Sequence, residues 1–372
     1  MRVLITGGAG FIGSHVADRL LADGHDVRAL DVLDRQVHAG DGAPGYLHPE
    51  VDLRLGDVRD RAACAEALAD VDAVVHFAAA VGVGQSMYEI ERYVSVNTLG
   101  CAVLLEEVVK RRDRIAKVLV ASSMSIYGEG QYRNPVTGER GLAPGLRSTD
   151  QLRRREWEVL AEDGTRLEPE ATAETKPLRP TSVYAVTKRD HEELTLAVAA
   201  AYGVPAVALR FFNVYGARQA LSNPYTGVVA IFASRLLNGR PPIVFEDGLQ
   251  TRDFIDVRDI ARASSLALSS SAADGHAVNI GTGRATSVLE VARVLARGIG
   301  VEIEPEVVGQ FRAGDVRHCY ADTARARELL AFEPAITFED GMADLLDWLE
   351  GQAAADRVDD AYEALAARGL TR

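Results

Sequence analysis

The sequence has few of the residues that build metal centres and disulfide frameworks. Among its 372 residues are three cysteines, Cys64, Cys101 and Cys319, and their spacing fits neither a disulfide pair nor a metal-binding knuckle. We therefore expect each cysteine to be a small buried side chain, as in proteins of a reducing cytoplasm. The eight histidines form no His-x-His or His-x-x-x-His pair, so we predict that the protein has no metal site.

Long apolar runs and an excess of positive charge are missing as well. No run approaches the ~20 apolar residues of a membrane span, and a strand pattern that starts at residue 2 leaves no room for a signal peptide. These absences predict a cytoplasmic protein without a membrane partner. The net charge of −13 argues against nucleic acid as a partner. An anionic ligand would need a local arginine cluster, for which the candidates are Arg210, Arg218, Arg252, Arg312 and Arg317.

The first half of the chain contains a regular alternation of apolar runs and helical periodicity. The apolar runs cover residues 3–6, 27–31, 53–55, 73–77, 118–122 and 206–210. The helical patterns cover 11–21, 61–69, a long segment that ends near Lys110, and 184–202. Continuous apolar strands separated by helices predict an α/β fold, a doubly wound parallel sheet of the Rossmann type covered on both faces.

Changes in composition suggest how the chain is divided. We predict a dinucleotide-binding Rossmann domain over residues 1–212, interrupted at about 130–180 by a segment rich in Gly, Pro, Arg and Glu with a short helix around 151–160. This segment is a surface insertion, or alternatively a lid over the site. Shorter, mixed elements over 213–350 predict a smaller α/β substrate lobe with some segments returning to the sheet. Residues 351–372 predict a helical tail without chemistry.

A glycine-rich turn, Thr6-Gly-Gly-Ala-Gly-Phe-Ile-Gly13, joins the first predicted strand to the first helix. Glycines at 7, 10 and 13 let the backbone approach a pyrophosphate, and the helix N-terminus supplies N–H donors to it. Asp31 ends the second strand, where an acid accepts hydrogen bonds from the adenosine ribose and repels a 2′-phosphate. The pattern therefore predicts NAD, in preference to NADP, as the cofactor.

Asp57, in Gly56-Asp-Val58, ends the next predicted strand. Its position allows two interpretations, a contact with the adenine amino group or a cap for the helix that follows. The sequence does not favour one over the other.

Tyr184-Ala-Val-Thr-Lys188 carries the chemistry, together with Ser123 at the end of an upstream strand. Residues four apart share a helix face, so the Lys188 ammonium is expected beside the Tyr184 phenol. A neighbouring positive charge lowers a tyrosine pKa towards the range of a general base, and Ser123 would hold the substrate oxygen. Taken alone, a Tyr-x-x-x-Lys pair is more often a solvated helix face.

These elements belong to an ordered series of motifs from residue 2 to about 350. In this series the chain resembles the extended short-chain dehydrogenase/reductases that act on nucleotide sugars. Besides the motifs already quoted, the matching segments are His76-Phe-Ala-Ala79, Asn97-Thr-Leu-Gly100, Ser122-Ser123, Tyr127-Gly128, Arg210-Phe-Phe-Asn-Val-Tyr-Gly216, Gly248-Leu-Gln-Thr-Arg-Asp-Phe254 and Asn279-Ile-Gly-Thr-Gly283.

The resemblance implies roles for the matching residues. Tyr184 would be the base and Lys188 its activator, which also binds the nicotinamide ribose. The other cofactor contacts would be Phe11 and Ile12 on the pyrophosphate, Phe77, Ala78 and Ala79 on the adenosine, and Asp57, Val58, Asn97 and Ser122. The substrate contacts would be Ser123 and Met124 near the sugar, Asn213 on the diphosphate, and Arg252 and Arg317 on phosphate or nucleotide. The alternative for the two arginines is surface ion pairing.

Two positions separate the activities of such a family. Its dehydratases need extra acids between the serine and Tyr127, and its decarboxylases keep a glutamate two residues before that tyrosine. Met124 and Ser125 occupy these places here, and neither exchanges protons near neutral pH. The sequence therefore predicts an epimerase that transfers hydride and proton at one carbon.

The substrate is predicted from three segments, 78–88, 124–130 and 220–227, which look like those of bacterial enzymes acting on dTDP-L-rhamnose. Met124 would suit the methyl group of a 6-deoxy sugar, or it is simply core filler. The alternatives are a 4-epimerase for a UDP-hexose or UDP-uronate, a 4-ketosugar reductase, and a non-catalytic scaffold. The resemblance also implies a homodimer through the helices near 97–110 and 184–202, although an apolar stripe in the second helix could equally face the sheet.

Overall fold

The computed structural model describes residues 1–38, 40, 42–225 and 227–371. The strands are β1 (Arg2–Thr6), β2 (Asp26–Asp31), β3 (Asp52–Leu55), β4 (Ala73–His76), β5 (Lys117–Ser123), β6 (Gln131–Arg133), β7 (Glu168–Glu170), β8 (Ala206–Phe211), β9 (Asn213–Tyr215), β10 (Ile243–Val244), β11 (Thr251–Arg252), β12 (Phe254–Asp256), β13 (Ala277–Ile280), β14 (Thr286–Ser287), β15 (Glu306–Val307) and β16 (His318–Cys319).

The α-helices are α1 (Phe11–Ala22), α2 (Arg61–Ala67), α3 (Val83–Ser86), α4 (Ile90–Tyr93), α5 (Gly100–Val109), α6 (Thr149–Arg153), α7 (Val183–Tyr202), α8 (Val228–Leu237), α9 (Val257–Ser269), α10 (Val288–Ile299), α11 (Ala324–Leu330), α12 (Phe338–Leu349) and α13 (Val358–Ala366). A π-helix, Val94–Leu99, joins α4 to α5, and a 3-10 helix, Met124–Tyr127, follows β5. Within the described ranges, no helix is both long enough and apolar enough to cross a membrane.

Seven parallel strands form the central sheet in the order β13-β8-β5-β4-β1-β2-β3. The predicted doubly wound Rossmann-type sheet is confirmed. The strand order reverses direction between β1 and β4, and in such sheets the crevice at the carboxyl ends of the strands flanking this point binds the ligand. The Gly-rich turn follows β1 and residues 77–80 follow β4, so both lie at this crevice.

Both faces of the sheet are covered, which explains the continuous apolar runs in its strands. On one face α1 and α9 pack together, and Val16, Leu20 and Ile260 join one apolar core. On the other face α2, α5 and α7 bury a second core that includes Leu104 and Ala199. Helix α7 lies directly against β5, which brings its first turn to the carboxyl end of that strand.

The second half of the chain builds its own apolar core from α8, α10 and α12, with Phe232, Leu295 and Leu345 at its centre. The chain also returns to the main sheet, because β13 pairs in parallel with β8 and sets Asn279 opposite Arg210. The domain boundaries given above stay a prediction.

The insertion is a packed element with its own small sheet. Strands β6 and β7 pair antiparallel, and Tyr132, Val159 and Leu167 form a small apolar cluster beneath them. The expected helix around 151–160 is wrong in extent, because α6 ends at Arg153 and Arg155 adopts a positive φ of 60°.

The tail extends beyond a terminal helix. Residues 351–357 are irregular, α13 follows, and the Leu365 side chain lies against Gly84 in α3. The Arg368 guanidinium is 4.3 Å from the centre of the Tyr88 ring. Farther on, Leu370 accepts a hydrogen bond from the Ala313 amide (2.9 Å). The tail therefore contacts both the β4 side of the sheet and the segment that carries Arg312.

Candidate active site

The Gly-rich turn has the shape of a cradle for a dinucleotide. Gly7 adopts φ = 71°, and a Cβ placed there would lie 2.9 Å from the Ala78 amide nitrogen. A Cβ at Gly13 would lie 2.2 Å from the Gly7 oxygen, so only glycine allows α1 to approach the turn this closely. Gly10 directly precedes α1, and the half-buried Phe11 and Ile12 form its first turn, where free N–H groups favour an anion.

Asp31 lies beside this turn at the end of β2. Its carboxylate accepts hydrogen bonds from the amides of Ala9 (3.0 Å) and Leu33 (2.9 Å). Tyr46 donates to the Ala9 carbonyl (2.9 Å) on the other side of the turn. The acid therefore fixes the turn, and its remaining acceptor sites are compatible with the predicted ribose contact.

Asp57 does not cap the helix that follows it. The N-cap of α2 is Asp60, which accepts from the Ala62 amide at 2.8 Å. Asp57 instead accepts from the amide and guanidinium of Arg59, and the hydrogen bonds from that side chain lower the pKa of the carboxyl. The cap interpretation is thus wrong and the adenine contact stays a prediction. The neighbouring Val58 is buried against Gly100.

Asn97 lies in the π-helix and is fully buried. Its amide oxygen accepts from the Ala80 amide (2.7 Å), and its nitrogen donates to the Ala80 carbonyl (3.1 Å) and the Thr187 hydroxyl (2.9 Å). These bonds join α7 to the segment after β4 that contains the half-buried Phe77, Ala78 and Ala79. The Asn97 side chain therefore shapes the predicted adenosine wall, and its atoms are engaged by the protein.

Ser123, Tyr184 and Lys188 meet at the carboxyl end of β5. Helix α7 starts here because the Ser182 hydroxyl caps it, accepting from the Ala185 amide at 3.1 Å. Tyr184 is half-buried and Lys188 is 3% exposed. The Ser123 hydroxyl interacts with the Tyr184 phenol and accepts a hydrogen bond from the Ser125 hydroxyl (2.9 Å). The structure therefore places Ser123 beside Tyr184, and Lys188 one helical turn further along α7 with its nitrogen 3.0 Å from the Ala121 carbonyl oxygen; the catalytic roles of the three stay a prediction.

The electrostatics of this trio differ from the expectation. Burial raises the pKa of Tyr184 to about 12, while the hydrogen bond with Ser123 acts in the opposite direction. Burial also lowers the pKa of Lys188 to about 8. The expectation that the Lys188 charge lowers the pKa of Tyr184 is not met, because burial of the phenol dominates and raises it.

The sequence analysis did not predict that three buried side chains meet around Lys188. His76, Cys101 and His191 place their ligand-type atoms within 4.8 Å of one another. They come from β4, α5 and α7, so no spacing motif could reveal them. The Lys188 nitrogen lies 3.5 Å from His191 Nδ1, and a metal cation in this cluster would meet that ammonium. The cluster does not therefore support a metal centre.

Two predicted site residues have a buried polar atom without a protein partner among the described residues. These atoms are the Ser122 hydroxyl, at the end of β5, and the Asn213 side-chain oxygen, in β9. Buried polar atoms without partners are rare in native proteins and commonly mark a ligand position. Both residues are therefore available for the predicted contacts. Met124, in contrast, packs in an apolar cluster with Tyr127, Phe212, Cys319 and Ala321.

The arginine candidates do not form one cluster. Arg252 and Arg312 meet at Asp315, at 3.2 Å and 2.7 Å from its two oxygens, and Arg312 is 46% exposed. Although burial raises the pKa of Asp315, the two arginines lower it to about 2. Arg210 is buried against Glu192, and Arg218 pairs with Asp18 beside α1.

Arg317 does not support the predicted role as a substrate clamp. Its side chain is 0% exposed, and its guanidinium bonds to the carboxylates of Asp247 (2.6 Å), Glu158 (2.7 Å) and Glu246 (3.0 Å). A guanidinium enclosed by three carboxylates has no face left for a phosphate. Surface ion pairing is wrong as well, since this network is internal. The structure offers Arg312 in its place, next to Arg252.

Comparison with known proteins supports the chemistry that this geometry suggests. The NAD dependent epimerase/dehydratase family matches residues 3–145 and 159–281. The chain belongs to this family. A dTDP-L-rhamnose 4-epimerase of Burkholderia thailandensis is 37% identical over 94% of this chain and 94% of its own length. The protein is accordingly an enzyme of the NAD-dependent epimerase type, an isomerase, as predicted.

Solved structures agree with this assignment. A UDP-glucose 4-epimerase of Thermotoga maritima, in complex with UDP-glucose, is 30% identical, with a TM-score of 0.76 over 94% of this chain and 99% of that one. The Thermus thermophilus UDP-glucose 4-epimerase, in complex with NAD, is 31% identical, with a TM-score of 0.74 over 95% and 100%. The predicted cofactor NAD is confirmed at the level of the family, and the cradle at Gly7 and Gly13, Asp31 and the unpartnered Ser122 hydroxyl fit it.

Proposed function

We propose that the protein is a nucleotide-sugar 4-epimerase and that its substrate is dTDP-L-rhamnose or a related dTDP-6-deoxyhexose. The observation that carries the proposal is the assembled trio of Ser123, Tyr184 and Lys188 without a second acid. Met124 is buried in an apolar cluster and the Ser125 hydroxyl bonds to Ser123. Glu129, the nearest following acid in the sequence, is occupied by Tyr132 and by the amides of Arg317 and His318.

Tyr184 would act as the base on the sugar 4-hydroxyl, while Ser123 holds the same oxygen. The family cofactor, when bound, supplies the hydride acceptor, and the same hydride returns to the opposite face of the sugar, so no net oxidation occurs. Lys188 stabilises the phenolate when Tyr184 gives up its proton. Tyr184 finally returns the proton to the 4-oxygen. One base serves both directions, which explains why no additional acid is needed.

The nucleotide must stay bound while the keto sugar turns over. The unpartnered side-chain oxygen of Asn213 belongs to β9, and Asn213 pairs with Phe254, which begins β12 two residues after Arg252. Arg252 and Arg312 converge on Asp315. The Arg252 guanidinium also donates to the carbonyls of Thr251, Val316 and Arg317. The more exposed Arg312 would therefore make the main diphosphate contact beside Arg252, since guanidinium groups suit bidentate phosphate contacts. The clamp therefore combines one residue of the predicted set, Arg252, with Arg312 in place of Arg317.

The dTDP-6-deoxyhexose is favoured by the relative from Burkholderia thailandensis, named a dTDP-L-rhamnose 4-epimerase. The apolar surroundings of Met124 are compatible with a sugar methyl group, which needs no hydrogen-bond partner. A UDP-hexose is the second candidate, because the Thermotoga maritima structure contains UDP-glucose. A UDP-uronate 4-epimerase and a 4-ketosugar reductase stay open as alternatives.

A homodimer through the π-helix, α5 and α7 remains part of the proposal. The side chains of the apolar stripe Leu194, Val198 and Ala201 are half-buried or exposed. This argues against the interpretation that the stripe faces the sheet. On the same surface Leu99 is 52% exposed and Tyr202 is 51% exposed. Light scattering on the purified protein will give the mass that decides between monomer and dimer. The cytoplasmic location stays a prediction, compatible with three free and buried cysteines.

The test is to incubate the pure protein with dTDP-L-rhamnose, without added cofactor, and to follow the sugar by proton NMR. We expect the 4-epimer to appear at a stable equilibrium. Conversion of UDP-glucose or a UDP-uronate in its place would keep the mechanism and replace the substrate. The matched control is Tyr184→Phe, which should abolish turnover and leave NAD bound. If the control stays active, or if no nucleotide sugar reacts, the epimerase assignment is wrong.

A further inference from the structure

The Lys188 ammonium lies in a closed polar environment. Its nitrogen donates to the Ala121 carbonyl (3.0 Å) and lies 3.5 Å from His191 Nδ1. An ammonium has three N–H donors. Two of them have these protein acceptors, and the third is left for the active site. His191 is thus the second of two protein acceptors that hold this charge in a site where Lys188 is 3% and His191 0% exposed.

The tautomer of His191 follows from its other contact. His191 Nε2 lies 3.0 Å from the Asn97 carbonyl oxygen, which only accepts, so Nε2 carries the proton. A neutral ring protonated at Nε2 presents a lone pair at Nδ1, and that lone pair faces Lys188. Burial and the Lys188 charge lower the pKa of His191 well below its ordinary value, which keeps the ring neutral. The Asn97 carbonyl therefore makes His191 an acceptor.

We propose that His191 is a positioning residue, which holds the Lys188 ammonium through Nδ1 in the protonated, oriented form that the Tyr184 base requires. The inference rests on the proposed function for Tyr184, while the contact between His191 and Lys188 is independent of the substrate.

The other groups around Lys188 do not substitute for this contact. From β4, His76 bonds through Nδ1 to the Thr6 hydroxyl (2.7 Å), and its buried Nε2 makes no hydrogen bond to Lys188 or to any other described residue. From α5, the Cys101 thiol is neutral because burial raises its pKa to about 12. On α7, Asp190 accepts from the Thr98 hydroxyl, and Tyr184 lies on the active-site side.

Loss of the His191 lone pair would leave two N–H groups of a buried cation without protein acceptors, which favours the deprotonated amine. With Lys188 uncharged, the phenolate of Tyr184 would lose its stabilising neighbour. We therefore expect the activity to fall by about tenfold, the scale of one lost hydrogen bond to a charged group. The KM for the nucleotide sugar should stay unchanged, because His191 lies behind Lys188 and does not face the site.

Three variants separate this role from simple core packing. His191→Asn keeps an acceptor at the Nδ1 position and removes the bond to Asn97. His191→Gln keeps a donor at the Nε2 position and removes the acceptor beside Lys188. His191→Leu removes both. We expect His191→Asn to retain most of the kcat, and both His191→Gln and His191→Leu to lose about tenfold and to have the acid limb of the kcat profile moved to higher pH.

A direct measurement of Lys188 keeps the test independent of turnover. The chain contains only four lysines, Lys110, Lys117, Lys176 and Lys188, so NMR of lysine labelled with carbon-13, assigned with Lys188→Arg, follows its titration in the NAD-loaded protein. We expect the pKa of Lys188 to fall by about one unit in His191→Gln and His191→Leu, and to keep its wild-type value in His191→Asn. The proposal is overturned if the Lys188 pKa is the same in all variants, or if His191→Gln keeps the wild-type Lys188 pKa and His191→Asn does not. If wild-type protein turns over no nucleotide sugar but Lys188 responds as expected, the proposed function fails and this inference stands.

Discussion

Ser123→Ala tests which interactions set the pKa of Tyr184, the proposed base. Burial raises the pKa of Tyr184 to about 12, and the interaction that opposes burial is the hydrogen bond with Ser123. Removal of that hydroxyl leaves the burial effect unopposed. The phenolate, which is the proposed base, then forms only at higher pH, so the acid limb of the activity profile should move to higher pH.

The size of the shift follows from the kind of bond that is lost. A hydrogen bond to a charged group contributes about 1.5–3 kcal/mol, and each pKa unit corresponds to about 1.4 kcal/mol. The acid limb should therefore move up by about one to two pH units. On that limb the activity should fall by about 10- to 100-fold at fixed pH. Raising the pH should recover most of the activity that was lost through the higher pKa of Tyr184.

The assay is kcat for the epimerisation between pH 6 and 10, with Ser125→Ala as the matched control. Ser125 donates its hydroxyl to Ser123 (2.9 Å) and shows no direct effect on Tyr184, so its loss should move the limb by less than about half a unit. A fall in kcat by the same factor on the acid limb and on the plateau above it, followed to the highest pH that the protein tolerates, would refute the reasoning, because it would show that the serine only orients the sugar.

Three further predictions concern the rest of the site. Arg252→Ala and Arg312→Ala should each raise the KM for the nucleotide sugar by about tenfold. Arg317→Met should leave this KM unchanged and should reduce the free energy of unfolding, measured in urea, by about 3–5 kcal/mol, because it leaves three carboxylates without their cation. A higher KM in Arg317→Met would restore the predicted role of Arg317 as a substrate clamp. Burial raises the pKa of Glu158, but His318 and Arg317 outweigh it and lower the pKa to about 2. The ionised Glu158 therefore stabilises the fold above its ordinary pKa of about 4.3, and this stabilisation is lost as the pH falls towards 2. Between pH 5.5 and 2 the free energy of unfolding should fall by about 3 kcal/mol more in the wild type than in Glu158→Gln. An equal fall in both proteins would contradict this prediction. Deletion of residues 351–372 should raise the KM several-fold with little change in bound NAD, because the tail contacts Gly84 and the Arg312 segment; an unchanged KM would show that the tail has no part in the site.

The local patterns predicted the sheet and its coverage by helices, because each strand and helix is encoded within a few residues. The turn at Gly7 and the helical spacing of Tyr184 and Lys188 need no long-range information. The errors arose where distant segments meet. Arg317 matched a motif, yet Glu158, from the insertion, and Glu246 enclose it. His191 stands three residues after Lys188, but its importance depends on Asn97, which lies on another helix.

The same dependence on distant partners explains how the face of α7 that carries Tyr184 and Lys188 stays aligned with the sheet. Glu192, one turn after Lys188, accepts a hydrogen bond from the buried Arg210 of β8 (2.9 Å). Arg210 also donates to the Tyr127 hydroxyl (2.8 Å), which donates to Asn279 Oδ1 (2.6 Å) in β13. A buried ion pair adds little net stability over apolar packing, but breaking it leaves an unpaired charge. The network therefore acts through geometry, since a rotation of α7 that moved Tyr184 away from Ser123 would also separate Glu192 from Arg210.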